Sequence, residues 1–377
     1  MGKKIIYVTG TRADYGLMRE VLKKLDCAEE MDLFLCVTGM HLSGLYGNTI
    51  TEIQDDGFKI CGTIPVDVEN TNHSTMAKAV GFELIGFTEV FEREKPDIVL
   101  LLGDRGEMLA GALAAVHLNI PIVHLHGGER SGTVDEMIRH AISKLAHIHF
   151  VATESSRDRL IKMGEKESSI FVVGAPGLDE LKRFKTSSRS HFYQHYAFNP
   201  EQKIALLIYH PVVQEYQEIK KQCQNVIEAT LSAGLQIICL EPNSDAGGQL
   251  IREVLNDYRH YPSLRIIKHL HRSEFIDCLA NVDVMVGNSS SGIIEAASFK
   301  LAVVNVGTRQ NLRERSNNVI DVGIDHEAIL SGINRALNQP REDIINCYGD
   351  GHSSERCYQL LKTITFDSQL LNKSNAY

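Results

Sequence analysis

At roughly 100–200 residues per domain, a chain of 377 residues, 43% hydrophobic and 23% charged, has room for about two domains with cores of their own. A single small disulfide-stapled module and a disordered chain are excluded. Its 39 Lys and Arg against 48 Asp and Glu leave a formal charge of −9, so no global basic field awaits nucleic acid or anionic lipid, and any anion must be held by a local cluster.

The N-terminal apolar run is too short for the core of a signal peptide, and no run approaches the roughly 18 residues of a membrane span, so a cytoplasmic protein is expected. The cysteines (Cys27, Cys36, Cys61, Cys223, Cys239, Cys278, Cys347, Cys357) are scattered, have mostly apolar neighbours and read as reduced core residues. No Cys-x-x-Cys or His-Glu-x-x-His spacing occurs, and His191 and His195 have no third ligand within sequence reach, so no metal is expected.

Short β-branched and apolar runs at 5–8, 33–37, 98–102, 120–125 and 148–151 alternate with helical patterns, the grammar of βα units on a parallel sheet. After a polar stretch at about 182–202 the grammar restarts, with runs at 204–209, 235–240, 266–270, 282–286 and 302–306. This predicts an α/β fold with Rossmann-like, doubly wound domains over 1–185 and 186–352. A helix at 353–377 is expected to tie them together before a tail that frays. Ligands of such sheets bind outside the carboxyl ends of the strands, so the polar residues after each run are the candidates.

The first run ends in Thr9-Gly10-Thr11-Arg12-Ala13-Asp14-Tyr15-Gly16. The residues fit a plain strand-to-helix turn, or an anion site built from a helix N-terminus and the fork of Arg12, and match neither a G-x-G-x-x-G nor a Walker A pattern. Gly103-Asp104-Arg105-Gly106 follows the next buried run. Asp104 suits proton transfer as well as a cap or ion pair, and Arg105 suits a phosphate. His124-Leu125-His126-Gly127-Gly128-Glu129 opens the densest titratable cluster, in which Thr133 and Glu136 have capping-box spacing and alternation puts both histidines on one strand face.

In the second half, Tyr209-His210-Pro211 and Glu241-Pro242-Asn243 end successive runs. Gly287-Asn288-Ser289-Ser290-Ser291-Gly292 has the hydroxyls and glycines of a neutral diphosphate cradle, with Glu295 one turn on, where a carboxylate can accept from both hydroxyls of a ribose; the same residues also fit a serine N-cap followed by a solvated Glu295. Gly307-Thr308-Arg309-Gln310 repeats the pattern of strand, glycine and polar turn. Anion-binding turns in both halves, with acids and histidines mainly in the first, point to a nucleotide-sugar or other diphosphate ligand between two domains.

With these blocks in view, the chain resembles the hydrolysing UDP-N-acetylglucosamine 2-epimerases of sialic-acid-type pathways over nearly its full length. The blocks that carry the resemblance are GTRADYG, VTGMHLSGLYGNT, GDRGEMLAGALAA, HGGERSGTVDEMIRHAISKLAH, HPV, PNSDAG, GNSSSGIIEA and NVGTRQ. The resemblance implies a glycosyltransferase-B fold, two Rossmann-like domains around a cleft. It also implies elimination of UDP and addition of water with inversion at C2, without metal or cofactor, and a homo-oligomer, dimer or tetramer.

By the same resemblance Asp104 and Glu136 are the proton-transfer acids, Glu136 standing where some hydrolysing relatives have Asp. His210 is counted with them among the catalytic residues, near the diphosphate. Arg12, Arg105, Ser289, Ser290, Ser291 and Arg309 hold nucleotide and phosphate, Glu295 the ribose, and Asn243 the nucleotide. The sequence departs from the family at His126, where sialic-acid relatives carry a carboxylate. Either His126 takes over acid/base work or the sugar pocket is rebuilt, as for the branch that acts on UDP-N,N'-diacetylbacillosamine in bacterial legionaminic acid synthesis. A non-hydrolysing epimerase, a glycosyltransferase of the same fold, or a binding protein without chemistry are the alternatives.

Overall fold

The computed structural model describes all residues except 1, 69–72, 131–133, 243–246, 269 and 377. By contacts the chain forms two units, Met1–Glu180 with Gly349–Tyr377 and Leu181–Tyr348, against the boundaries at 185/186 and 352/353 read from the sequence. The first unit holds β1 (Lys3–Thr9), β2 (Met31–Thr38), β3 (Ile60–Ile64), β4 (Ile98–Leu102), β5 (Ile122–Leu125), β6 (Ile148–Val151) and β7 (Ile170–Val172). The second holds β8 (Ile204–Ile208), β9 (Gln236–Leu240), β10 (Leu264–Ile267), β11 (Val284–Gly287), β12 (Ala302–Val306) and β13 (Val319–Val322).

The first sheet has the order β3-β2-β1-β4-β5-β6-β7 and the second β10-β9-β8-β11-β12-β13. Every strand pair is parallel, with Ile5 beside both Leu33 and Ile98 in the first sheet and Val284 beside both Ala205 and Ala302 in the second. A parallel sheet is covered by helices on both faces, and so β4 (IVLLL), β8 (IALLI) and β12 (AVVNV) are buried throughout. The strand order reverses between β1 and β4 and between β8 and β11, and those switch points are where the loops part to admit ligands.

The strands missing from the sequence reading, β3, β7 and β13, all lie at sheet edges, half-solvated and interrupted by polar residues or very short. The helix Ser353–Thr363 packs on the helix Arg12–Asp26 of the first unit and sends Cys357 and Leu361 into its core. The tail expected to fray is anchored instead. Lys373 Nζ donates to the carbonyls of Ser143 (3.0 Å), Lys144 (2.8 Å) and Ala146 (2.6 Å), capping the end of the helix Val134–Leu145, and pairs with the buried Glu165 at 2.6 Å. The cysteines are free; Cys36, Cys223, Cys239, Cys278 and Cys357 are core residues as expected, but Cys27 is exposed. Among the described residues no helix is long and apolar enough to cross a membrane.

Candidate active site

The turn after β1 is built around Asp14. Its carboxylate accepts from the backbone N–H of Gly10 (3.2 Å) and Thr11 (2.7 Å) and from the hydroxyls of Thr11 and Thr9. Thr11 in turn caps the helix Arg12–Asp26. The chain's own carboxylate thus takes the turn's donors at Gly10 and Thr11, and the Arg12 side chain is two-thirds exposed with its Nε 3.1 Å from Glu52 Oε1.

At the end of β4, Gly103 adopts a left-handed conformation (φ +82°) and delivers Asp104 and Arg105 to the sheet edge. Arg105 Nε donates to Glu107 Oε1 at 2.6 Å. Asp104 is paired with Arg139, a buried residue of the helix Val134–Leu145. The other terminal nitrogen of Arg139 donates to the carbonyl of His126 at 2.8 Å and lies 3.9 Å from Glu129 Oε2. One guanidinium therefore holds the groups leaving β4 and β5 together, a geometry the planar fork of arginine suits.

The two histidines of the cluster do not share an environment. His124, inside β5, is fully buried, with Nε2 2.7 Å from the Gly103 carbonyl and Nδ1 3.1 Å from Ser143 Oγ. Burial pushes it down to about 3, so it is a neutral structural strut. His126 lies beyond the strand with its backbone in the left-handed region (φ +59°), which breaks the alternation that paired it with His124. For a non-glycine residue that conformation costs about 1–3 kcal/mol and persists only where the surroundings impose it. Its Nδ1 is 2.5 Å from Glu129 Oε1, and its Nε2 is buried without a hydrogen-bond partner among the described residues.

Glu136 is half-buried, 3.8 Å from His140 Nε2 on the next turn. The capping box expected with Thr133 lies outside the described residues. Asp135, which precedes Glu136, is exposed.

In the second unit Asn288 gathers three strand ends. Its side chain accepts from the His210 N–H (2.7 Å) and donates to the His210 carbonyl (2.8 Å), and its own carbonyl accepts from Arg309 (3.2 Å) and Gln310 (3.0 Å). Gly287 makes this possible: at φ +135° a Cβ would sit 2.0 Å from the Ile208 carbonyl oxygen. Ser289 caps the short helix Ser290–Ile294 through Ser291 N, and its hydroxyl meets that of Ser291 at 2.8 Å. Glu295 pairs with Arg272, the first residue of the helix Arg272–Asn281. Asn243 lies outside the described residues.

Each unit thus brings its own candidates together, Asp104 with His126 in the first and His210 with Ser289 and Arg309 in the second. Sequence reasoning gave no role to Glu129 or Asn288, although both stand in the motifs it singled out, nor to Arg139 or Arg272, which meet the candidates Asp104 and Glu295 across the fold.

The family model described as UDP-N-acetylglucosamine 2-epimerase matches residues 23–362. The chain belongs to the UDP-N-acetylglucosamine 2-epimerase family. Within this epimerase family it is 71% identical over 377 residues, the whole of both chains, to the UDP-N,N'-diacetylbacillosamine 2-epimerase (hydrolyzing) of Legionella pneumophila. It is 33% identical over 328 residues to the GDP/UDP-N,N'-diacetylbacillosamine 2-epimerase (hydrolyzing) of Campylobacter jejuni, covering 86% of this chain and 85% of that one. Its fold is similar to the crystal structure of UDP-GlcNAc 2-epimerase from Neisseria meningitidis bound to UDP-GlcNAc, with a TM-score of 0.79 at 20% identity over 96% of this chain and 100% of that chain. The epimerase fold is α/β, two Rossmann-like domains of glycosyltransferase-B type.

Proposed function

We propose that the protein is a hydrolysing 2-epimerase of UDP-N,N'-diacetylbacillosamine that releases UDP and a free manno-configured sugar. The observation that carries this reading is the 71% identity, over the whole of both chains, to the Legionella enzyme of that description. In the proposed reaction the C2 proton passes to a base and UDP departs with the C1–O electron pair, leaving a C1=C2 double bond. Water then adds, its oxygen to C1, while a proton returns to C2 from the opposite face, so that one water is consumed for each UDP released.

Asp104, Glu136 and His126 are the proton-transfer groups of this proposal, groups whose geometry toward a proton matters before their acidity does. Arg12, Arg105, Arg309 and the hydroxyls of Ser289, Ser290 and Ser291 are assigned to the nucleotide diphosphate, with His210 beside it, Glu295 to the ribose and Asn243 to the nucleotide. These donors favour the charge that builds on the departing UDP oxygen, where fixed dipoles act most strongly. His126, standing where sialic-acid relatives have a carboxylate, fits a sugar pocket rebuilt for the bacillosamine substrate.

The same proposal assigns the reaction to the bacterial cytoplasm, where it would feed nonulosonic acid synthesis. Self-association as a dimer or tetramer belongs to the same proposal, supported by Phe82 and Ile85, exposed one turn apart on the helix His73–Glu94. UDP release with UDP-N,N'-diacetylbacillosamine and UDP-N-acetylglucosamine offered separately tests the substrate. A kcat/KM at least about tenfold higher for the bacillosamine sugar is expected, a discrimination that pocket contacts of 1–3 kcal/mol supply. The reverse preference overturns it.

A further inference from the structure

We propose that Glu129 is a positioning residue that fixes the tautomer and orientation of His126, so that Nε2 is the ring atom that exchanges a proton with bound ligand or water. The inference rests on the place of His126 in the proposed catalytic set. An ionised carboxylate only accepts hydrogen bonds, so the 2.5 Å contact of Glu129 Oε1 with His126 Nδ1 puts the ring hydrogen on Nδ1. In the neutral ring the lone pair then sits on Nε2, which is buried and has no hydrogen-bond partner among the described residues.

The chain between the two residues is shaped for this contact. Gly128 is left-handed (φ +74°), and a Cβ there would lie 2.4 Å from the Ser156 carbonyl oxygen, while one on Gly127 would lie 2.9 Å from Ser143 Oγ. The His126 backbone is held at both ends, its N–H donating to the Phe150 carbonyl at 3.0 Å and its carbonyl accepting from Arg139. His124 and His41 have partners within 3.1 Å at both ring nitrogens. His149 also has a carboxylate, Glu165, on one ring nitrogen and a buried second nitrogen without a hydrogen bond among the described residues, but it is sealed inside β6, and Lys144 and Lys373 take that carboxylate as well. His126 combines a carboxylate on one nitrogen with an uncommitted nitrogen at a strand end.

The test uses the full chain with 15N-labelled histidine, recorded at high pH where the ring is neutral, beside steady-state kinetics with the UDP-sugars. The wild type is expected to show His126 as the Nδ1–H tautomer. In Glu129→Gln, whose amide both donates and accepts, both tautomers are expected, with kcat lower by about 10- to 100-fold and KM within about threefold, as for other oriented histidines. Glu129→Asp should recover part of kcat. An Nε2–H tautomer in the wild type, or a Glu129→Gln enzyme with an unchanged tautomer and kcat within about twofold, overturns the proposal. If the wild type releases UDP from neither sugar, it is the proposed function that fails, and the tautomer measurement still decides the pairing.

Discussion

The carboxylate of Asp104, at the end of β4, is bound by the guanidinium of Arg139, which stands one turn beyond Glu136 on the helix Val134–Leu145. Because the same guanidinium holds the His126 carbonyl, one side chain sets the spacing of three groups assigned to proton transfer.

Arg139→Lys keeps the charge but loses the fork, and a displacement of about 1 Å at a catalytic group can cost about 100-fold in rate. The expected result is a kcat lower by about that factor with KM and UDP affinity within about threefold. Steady-state kinetics and UDP titration calorimetry check it, and a weaker KM at unchanged kcat would place Arg139 in ground-state binding instead.

Glu83 makes stability fall with rising pH. Burial, with a smaller contribution from the Glu107 charge, pushes its carboxyl up to about 8. Geometry agrees, since Thr38 Oγ lies 2.7 Å from the Ile64 carbonyl and 3.0 Å from Glu83 Oε1, and its single hydrogen cannot serve both unless the carboxyl is itself the donor. Between the unfolded value and about 8 the folded state binds the extra proton, so its stability declines across that window. Glu83→Gln should flatten the decline, with a Tm advantage over the wild type that grows from pH 5 to pH 8. Melting curves across that range check it; equal slopes would show an ionised Glu83.

Gly287→Ala should destabilise the second unit by about 3 kcal/mol or more, because the added Cβ overlaps the Ile208 carbonyl and the backbone is in a region alanine avoids. Gly16→Ala is the contrast, a helical glycine with nothing within 4 Å of the new Cβ. It should be neutral or stabilising by up to about 1 kcal/mol. Thermal denaturation separates the two, and similar losses would contradict the account of the turn after β11.

Ser290→Ala and Glu295→Ala should raise the apparent KM for a UDP-sugar more than they lower kcat, by about five- to tenfold for one lost hydrogen bond. Glu295→Ala also removes a carboxylate that pairs with Arg272, so the larger effect is expected there. A loss confined to kcat would remove both from nucleotide binding.

How much of this was legible beforehand follows from burial. Strands covered on both faces, such as β1, β4 and β8, appear in the sequence as unbroken apolar runs, and the polar residues after them led directly to Asp104, His126, His210 and Ser289. Edge strands such as β3, Ile-Cys-Gly-Thr-Ile, carry no such run and were invisible. The residues that orient the candidates were harder to find, because Arg139 meets Asp104 across 35 positions and Asn288 meets His210 across 78. Those contacts depend on strand order, which no local pattern encodes. The left-handed turn at His126 was equally hidden, since alternation assumes that the strand continues.

The central claim is elimination followed by hydration of a UDP-N-acetylamino sugar, and a proton NMR time course in D2O tests it most directly. UDP-N,N'-diacetylbacillosamine should give UDP and a free manno-configured sugar carrying deuterium at C2. Free sugar with hydrogen retained at C2, or a UDP-linked epimer with no UDP released, would contradict it.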